Sequence, residues 1–171
     1  MNEDTKAIIR SQYAAALQML ETAIIRCPES LWTDNTGKNR YWQVAYHTLF
    51  YVHLYLQPTE ADFTPWAKGR AEYHFLGPTP WPPHTTPEVG EPYSQQEILE
   101  YLDLCRNEVE ARVQELDLAA ASGFDWLPFN KLELQFYNIR HLQHHVGELS
   151  GRLMTETGVE IDWVGMQARQ T

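Results

Sequence analysis

Three histidines lie within five positions of one another in the segment NIRHLQHHVGELSG, at residues 138–151. A neutral imidazole nitrogen is the commonest metal ligand in proteins, so such a cluster is a candidate metal site. If the segment is a helix, each residue turns by about 100° around the helix axis. His141 and His145 then share one shoulder of the apolar stripe, whereas His144 points toward solvent. Because helix neighbours at i and i+4 lie close together, His141 and His145 can reach one ion.

A third ligand has to come from another element, and His47 is the strongest candidate. It lies in the apolar segment WQVAYHTLFYVHLYL, at residues 42–56. Helical spacing places it on an inward face with Val44, Tyr51 and Leu54. Helix bundles commonly build metal sites from side chains on facing helices. The ordinary alternative stays open, since a single inward histidine is more often a hydrogen-bonded core residue.

The remaining histidines are weaker candidates. His53 lies off the inward face of its segment. His74 and His84 lie in a long connection, where ordering a ligand costs more conformational entropy. The sequence therefore favours His47, His141 and His145 as the metal ligands, and it leaves His144 on the surface.

Four segments have the hydrophobic periodicity of helices, at about residues 4–26, 39–56, 94–118 and 130–157. Ser94 and Glu97 form the capping-box pattern that begins a helix, and Gly158 fits the position just past a helix end. The sequence contains no internal repeat and no strand-like alternation of useful length. It therefore predicts an all-α helix bundle, in which the second and fourth segments carry the candidate ligands.

The connection between the second and third helices is unusually long and spans residues 57–93. It contains every proline except Pro28 and Pro128, and it also carries Trp66 and Trp81. A connection of this length can return along a helix of about 27 Å, so the two helices it joins can run parallel. This favours an up-down-down-up four-helix bundle with a long crossover between helices 2 and 3. A short helix is expected within residues 59–69, and the aromatic content argues against a floppy insertion.

Composition bounds the other possibilities. The chain has 171 residues, 43% of them hydrophobic, and a formal net charge of −10. These values predict a single globular domain over residues 1–171. The acidic balance argues against binding to nucleic acid or to an anionic membrane surface. Since no apolar run reaches the ~18 residues of a membrane span and the N-terminus lacks a signal-peptide h-region, the cytoplasm is the expected location. Cys27 and Cys105 are expected to be small buried apolar residues rather than a disulfide framework.

The inward His47, followed far downstream by HLQHHVGE at residues 141–148, resembles the DinB superfamily, which includes the YfiT-like proteins. The family pattern resembles H-x-x-x-H-R-G-Q. The resemblance implies an up-down-down-up four-helix bundle and a metal site formed by His47, His141 and His145, and family members are often homodimers. Val146 replaces the Arg and Glu148 the Gln of the pattern, so substrate contacts or the groups behind the ligands differ while the ligand positions are kept.

Three protein ligands leave one coordination position open, which is typical of catalytic rather than structural metal sites. Imidazole ligands suit one divalent ion, with Zn²⁺ or Ni²⁺ favoured. Such an ion can lower the pKa of bound water to about 7 or stabilise a thiolate. The resemblance implies thiol S-transferases and isomerases that use low-molecular-weight thiols such as bacillithiol or mycothiol. The resemblance thus favours a thiol-dependent S-transferase acting on a small electrophile.

Two other functions stay open: a metal-dependent hydrolase of a small molecule, and a non-catalytic, metal-stabilised, stress-linked binding protein. No catalytic residue can be assigned from the sequence. Asn138 could orient a ligand from behind, Arg152 could hold a substrate carboxylate, and Glu148 could act as a base. For Asn138 and Arg152 an ordinary helix-surface role is the more common one, and Glu148 could equally be a solvated residue.

Overall fold

The computed structural model describes residues 2–165 and confirms the all-α class. Its helices are α1 (Asn2–Arg26), α2 (Glu29–Trp32), α3 (Tyr41–Tyr55), α4 (Gln95–Glu115) and α5 (Lys131–Thr157). Within this part of the chain the only β-type pairing is an isolated bridge between Ala121 and Asn130. Four of these helices correspond to the four segments predicted from the sequence. The single-domain interpretation over residues 1–171 stays a prediction, and its ends, Met1 and residues 166–171, lie outside the described residues.

The local signals at the helix ends act as the sequence indicated. The Ser94 side chain accepts a hydrogen bond from the Glu97 amide, and the Glu97 carboxylate accepts one from the Ser94 backbone. Gly158 ends α5 in the left-handed conformation, with φ of 73°. Asn130 caps the start of α5 by accepting from the Glu133 amide. Caps therefore fix both ends of α5, the helix that carries His141, His144 and His145.

The short helix α2 was not predicted, because four residues are too few to show a helical repeat. It places Trp32 in the core, where its indole N–H donates to the Tyr93 carbonyl at 2.8 Å. α2 therefore ties the end of α1 to the end of the long connection.

The helices pack in a closed ring: α1 lies against α4 and α5, and α3 lies against the same two helices. Between α1 and α4, Lys6 donates to the Gln114 carbonyl at 2.7 Å, and Gln95 donates to the Ile24 carbonyl at 2.6 Å. Low residue numbers on α1 thus meet high numbers on α4. None of the described helices combines the length and apolar character needed to cross a membrane.

The contacts between α3 and α4 advance in the same direction along both helices. The Cys105 thiol donates to the Leu49 carbonyl, and Gln57, just after α3, donates to Glu108 at 3.1 Å. Cys27 and Cys105 are both free and buried, as the sequence predicted.

Residues 57–93, which join α3 to α4, are anchored to the bundle by aromatic side chains. Trp66 stacks on Tyr101 with ring centroids 4.7 Å apart and an interplanar angle of 4°. Tyr93 is buried, and its hydroxyl donates to the Lys68 carbonyl. The segment is therefore packed against the helices rather than loose. The helix expected within residues 59–69 is present only as a 3-10 turn at Glu60–Asp62.

A buried lysine holds the end of α3 against the start of α5. The Lys131 ammonium donates to the carbonyls of Gln57 at 2.9 Å and Pro58 at 2.6 Å, and also to that of Ser122. Next to Ser122, the backbone at Gly123 passes close to Pro58. Only glycine fits there, because its φ is +83° and an added Cβ would lie 2.0 Å from the Pro58 oxygen. Since α3 and α5 carry the candidate ligands, this tie fixes one end of the frame that holds them.

Replacing Lys131 with Met should lower the free energy of unfolding by about 2–3 kcal/mol, because buried carbonyls lose a charged donor. Urea unfolding of the variant measures the loss. Lys38→Met, at an exposed lysine, is the matched control and should change stability little. Equal stability of the two variants would contradict a structural role for the Lys131 ammonium.

Candidate metal centre

α3 and α5 bring the three histidines favoured by the sequence into one cluster. One ring nitrogen from each of His47, His141 and His145 lies within 4.8 Å of the other two. The closest pair is Nε2 of His47 and Nε2 of His141, which are 3.0 Å apart. α5 supplies two of the rings one turn apart, and α3 supplies the third from across the interface.

The ring of His47 is fixed by the long connection. Its Nδ1 donates to the backbone carbonyl of His74 at 2.5 Å. Because a carbonyl can only accept, the proton of the neutral ring lies on Nδ1, and Nε2 presents a lone pair to the cluster. A hydrogen bond of this kind behind a histidine sets its tautomer and orientation for metal binding.

The ring of His145 is fixed from its own helix. Its Nδ1 lies 2.9 Å from Oε2 of Glu148, one turn further along α5. This carboxylate accepts the Nδ1 proton and leaves Nε2 of His145 as the lone-pair nitrogen. A carboxylate behind a histidine is a common arrangement in metal sites, where it also raises the basicity of the ligand.

His141 has no such partner: its Nδ1 is buried and makes no hydrogen bond within the described residues. Since Nε2 of His47 carries a lone pair, Nε2 of His141 at 3.0 Å either donates a proton to it or shares a cation with it. Nδ1 of His141 lacks a partner in both arrangements. Two nitrogens bound tetrahedrally at zinc-like distances would be ~3.3 Å apart, which is close to the separation observed. The donor set therefore fits a divalent metal.

Burial keeps these imidazoles neutral at physiological pH. It lowers the pKa of His47 from 6.5 to about 3 and that of His141 to about 4. Neighbouring histidines push both values further down, because each would repel a second positive charge. Burial also lowers the pKa of His145, although the Glu148 carboxylate partly opposes this. Metal binding requires deprotonated imidazoles, so the cluster has the protonation state that a cation needs.

His144 is exposed, as its predicted position on the helix required. A second group of possible ligand atoms joins His144, His145 and Glu148. In that group His145 and Glu148 already satisfy each other through their hydrogen bond. This second group includes the exposed His144, whereas every member of the cluster with His47 is at least partly buried. The cluster of His47, His141 and His145 is therefore the better candidate.

The weaker candidates lie outside the cluster. Nδ1 of His53 is 3.3 Å from the Tyr101 hydroxyl, and Nδ1 of His84 is 3.1 Å from the Thr79 carbonyl. The His74 ring stacks on Phe50. None of the three belongs to a possible ligand group among residues 2–165.

Asn138 and Arg152 do not take the roles proposed for them from the sequence. Asn138 is fully buried and donates to the Val52 carbonyl, so it joins α5 to α3 instead of contacting a histidine. Arg152 donates to the Asn39 carbonyl at 2.9 Å and lies over the Tyr41 ring. Both side chains thus join α5 to other parts of the fold, and a substrate contact by Arg152 stays a prediction.

Sequence reasoning missed two contributors to the cluster. The His74 carbonyl is a backbone atom, so no residue type signals its role. Tyr51 lay on the predicted inward face, but nothing indicated that its ring would lie 4.8 Å from His47 and 5.3 Å from His141. Burial raises the pKa of Tyr51, so its hydroxyl stays protonated at neutral pH.

An all-helical fold with three converging histidines defines a class of candidate metalloproteins. The family is more specific: the model of the DinB superfamily matches residues 12–149, and the chain belongs to that superfamily. The matched region contains all three histidines. No curated protein and no solved structure matches the chain.

The metal-free protein should lose stability as the pH falls from about 6.5 toward 4. In that window the unfolded chain binds protons at His47 and His141 that the folded chain excludes. Each such histidine adds a slope of up to about 1.4 kcal/mol per pH unit. Urea midpoints measured in a chelating buffer give the profile. His47→Gln should flatten it and His144→Gln should not; identical profiles for the wild type and His47→Gln would refute the assignment.

Proposed function

We propose that His47, His141 and His145 bind one divalent metal ion and that the protein is a metal-dependent enzyme. The observation that carries the proposal is the convergence of three imidazole nitrogens within 4.8 Å. Two of the rings are oriented by hydrogen bonds to the His74 carbonyl and the Glu148 carboxylate. Imidazole ligands favour Zn²⁺ or Ni²⁺ over the hard cations Mg²⁺ and Ca²⁺. An ion bound there would supply positive charge that lowers the pKa of a thiol or a water molecule at its open position.

The reaction that we favour is transfer of a low-molecular-weight thiol to a small electrophile. A carbon–sulfur bond forms, the bond between carbon and the leaving group breaks with its electron pair going to that group, and the thiol proton passes to water. The chain holds the site in shape for this step. His47 and His145 stay fixed by their hydrogen bonds, and the packing of α3 on α5 keeps bulk water from one side of the cluster.

Hydrolysis of a small molecule is the second candidate function. Its specific support is Glu148, a half-buried carboxylate beside His145 and so close to the histidine cluster. A carboxylate in such a place can accept a proton from an attacking water. A non-catalytic, metal-stabilised binding protein is the remaining alternative, and it predicts metal binding without turnover.

Topology, assembly and location belong to the same proposal. We propose an up-down-down-up order in which residues 57–93 cross over between parallel helices α3 and α4. The contacts between helices support this order. Along α1 the contacting residue numbers rise as those of α4 fall, whereas along α3 and α4 they rise together.

We further propose a cytoplasmic homodimer that acts on a small molecule, not on nucleic acid or a membrane, in keeping with its net charge of −10.

Metal content tests the ligand assignment directly. His47→Ala, His141→Ala and His145→Ala should each weaken metal binding at least about 100-fold, because even losing a group behind a ligand costs about 10–100-fold. His144→Ala is the matched control and should bind metal like the wild type. The measurement is elemental analysis after gentle chelation and back-titration with Zn²⁺ or Ni²⁺. Loss of metal in His144→Ala together with retention in His47→Ala would show that the wrong histidines were chosen.

Turnover by the metal-loaded protein separates the three functions. A panel of low-molecular-weight thiols with an electrophile should show thiol consumption that disappears in His141→Ala and persists in His144→Ala. Ester and amide substrates are run without thiol in parallel. Turnover only in the second panel would replace the transferase by the hydrolase, and metal binding without turnover in either would favour the binding protein.

A further inference from the structure

A cavity of about 580 Å³ lies beside the histidine cluster, within the size range of small-molecule sites. Most of its wall is aromatic. The rings come from α3, from the long connection and from the loop before α5: Phe50, Tyr51, Tyr55, Phe63, Phe75, Trp81 and Trp126. Three separate segments of the chain thus contribute rings to one enclosure.

We propose that this cavity binds a planar, uncharged aromatic group of the substrate. The proposal extends the proposed function by naming a substrate class, and it rests on that function for the view that the cavity serves the histidine site. The binding of an aromatic ligand can be measured whether or not the protein turns over a substrate.

The cavity and the histidine cluster share a wall. Tyr51 lines the cavity, and its ring also lies 4.8 Å from His47 and 5.3 Å from His141. His74 lines the cavity with its ring, while its carbonyl accepts the hydrogen bond from His47. A ligand in the cavity therefore lies one side chain away from the candidate ligands.

The arrangement of the rings favours a flat guest. Phe50 meets Phe63 edge to face at 76°, and Phe75 meets Trp81 at 81°. Phe50 stacks on His74 with centroids 3.8 Å apart. Walls that offer both faces and edges match the offset-stacked and edge-to-face geometries that aromatic groups prefer.

Charge on the ligand is disfavoured by the lining. Among residues 2–165, no lysine or arginine lines the cavity, and Glu60, which is exposed, is its one charged side chain. An anion would lose its hydration without gaining a partner. A cation would gain only a modest attraction from a contact with an aromatic face, and Glu60 is exposed, so these partners do not replace the hydration that the cation loses.

Two tryptophans flank the cavity and remain largely open to solvent. Trp81 is 52% exposed and Trp126 is 50% exposed. Large exposed apolar side chains beside a cavity are typical of binding sites. Because about half of each side chain is already in solvent, replacing either one should cost less stability than replacing a fully buried tryptophan.

The test uses three probes that share one naphthyl group: naphthalene-2-methanol, 2-naphthoate and (2-naphthylmethyl)trimethylammonium. Calorimetry on the Zn²⁺-loaded protein should show one site for the neutral probe, at least about ten-fold tighter than for either ion. Trp81→Ala and Trp126→Ala should each weaken the neutral probe about ten-fold while metal content stays at the wild-type level. Trp163→Ala, at a tryptophan that is 73% exposed and does not line the cavity, is the matched control and should bind like the wild type.

Proximity to the histidines is tested by exchanging Zn²⁺ for paramagnetic Co²⁺. The proton signals of the bound neutral probe should broaden in the Co²⁺ protein and not in the Zn²⁺ protein. Absence of this broadening would place the probe elsewhere and overturn the proposal.

The remaining outcomes separate this proposal from the proposed function. Tighter binding of either ion, or binding that ignores Trp81 and Trp126, overturns the substrate class while a normal metal content leaves the metal site standing. If the protein binds the neutral probe but no metal, the proposed function fails, and the cavity loses its assignment to a substrate.

Discussion

Two imidazole nitrogens at 3.0 Å cannot both point bare lone pairs at each other. This constraint determines how His47 on α3 and His141 on α5 can share the interface between their helices. His47 has already placed its proton on the opposite side of its ring, toward the His74 carbonyl. Nε2 of His141 therefore either donates a proton to His47 or shares a cation with it. Burial favours uncharged rings in both arrangements. An ion bound there would thus meet imidazoles that are already deprotonated.

The long connection between α3 and α4 does more than join them. Its aromatic residues anchor it, as Trp66 does by stacking on Tyr101, and the anchored chain then delivers the His74 carbonyl to His47. The same stretch supplies Phe63, Phe75 and Trp81 to the aromatic cavity. A segment that the bundle needs for connectivity thus orients one candidate ligand, His47, and builds much of the adjoining cavity wall.

Much of the frame could be predicted from sequence because it depends on local periodicity. The 100° repeat separates His144 from His141 and His145, and local chemistry marks the helix ends at Ser94 and Gly158. What the sequence could not reveal depends on atoms brought together by folding. The His74 carbonyl has no residue-type signal, and α2 is too short for a repeat. Arg152 was open to misinterpretation because its carbonyl partner, Asn39, is far away in sequence.

The three rings of the cluster are not equally constrained. His47 and His145 are each held at Nδ1, whereas the Nδ1 of His141 has no partner within the described residues. Two donors are therefore stiff and one is compliant. An ion with longer bonds could be accommodated by turning a single ring, without separating α3 from α5. If the cluster holds an ion, turning this one ring would adapt it to ions of different radius, and cellular metal supply, more than geometric fit, would then decide which ion it carries.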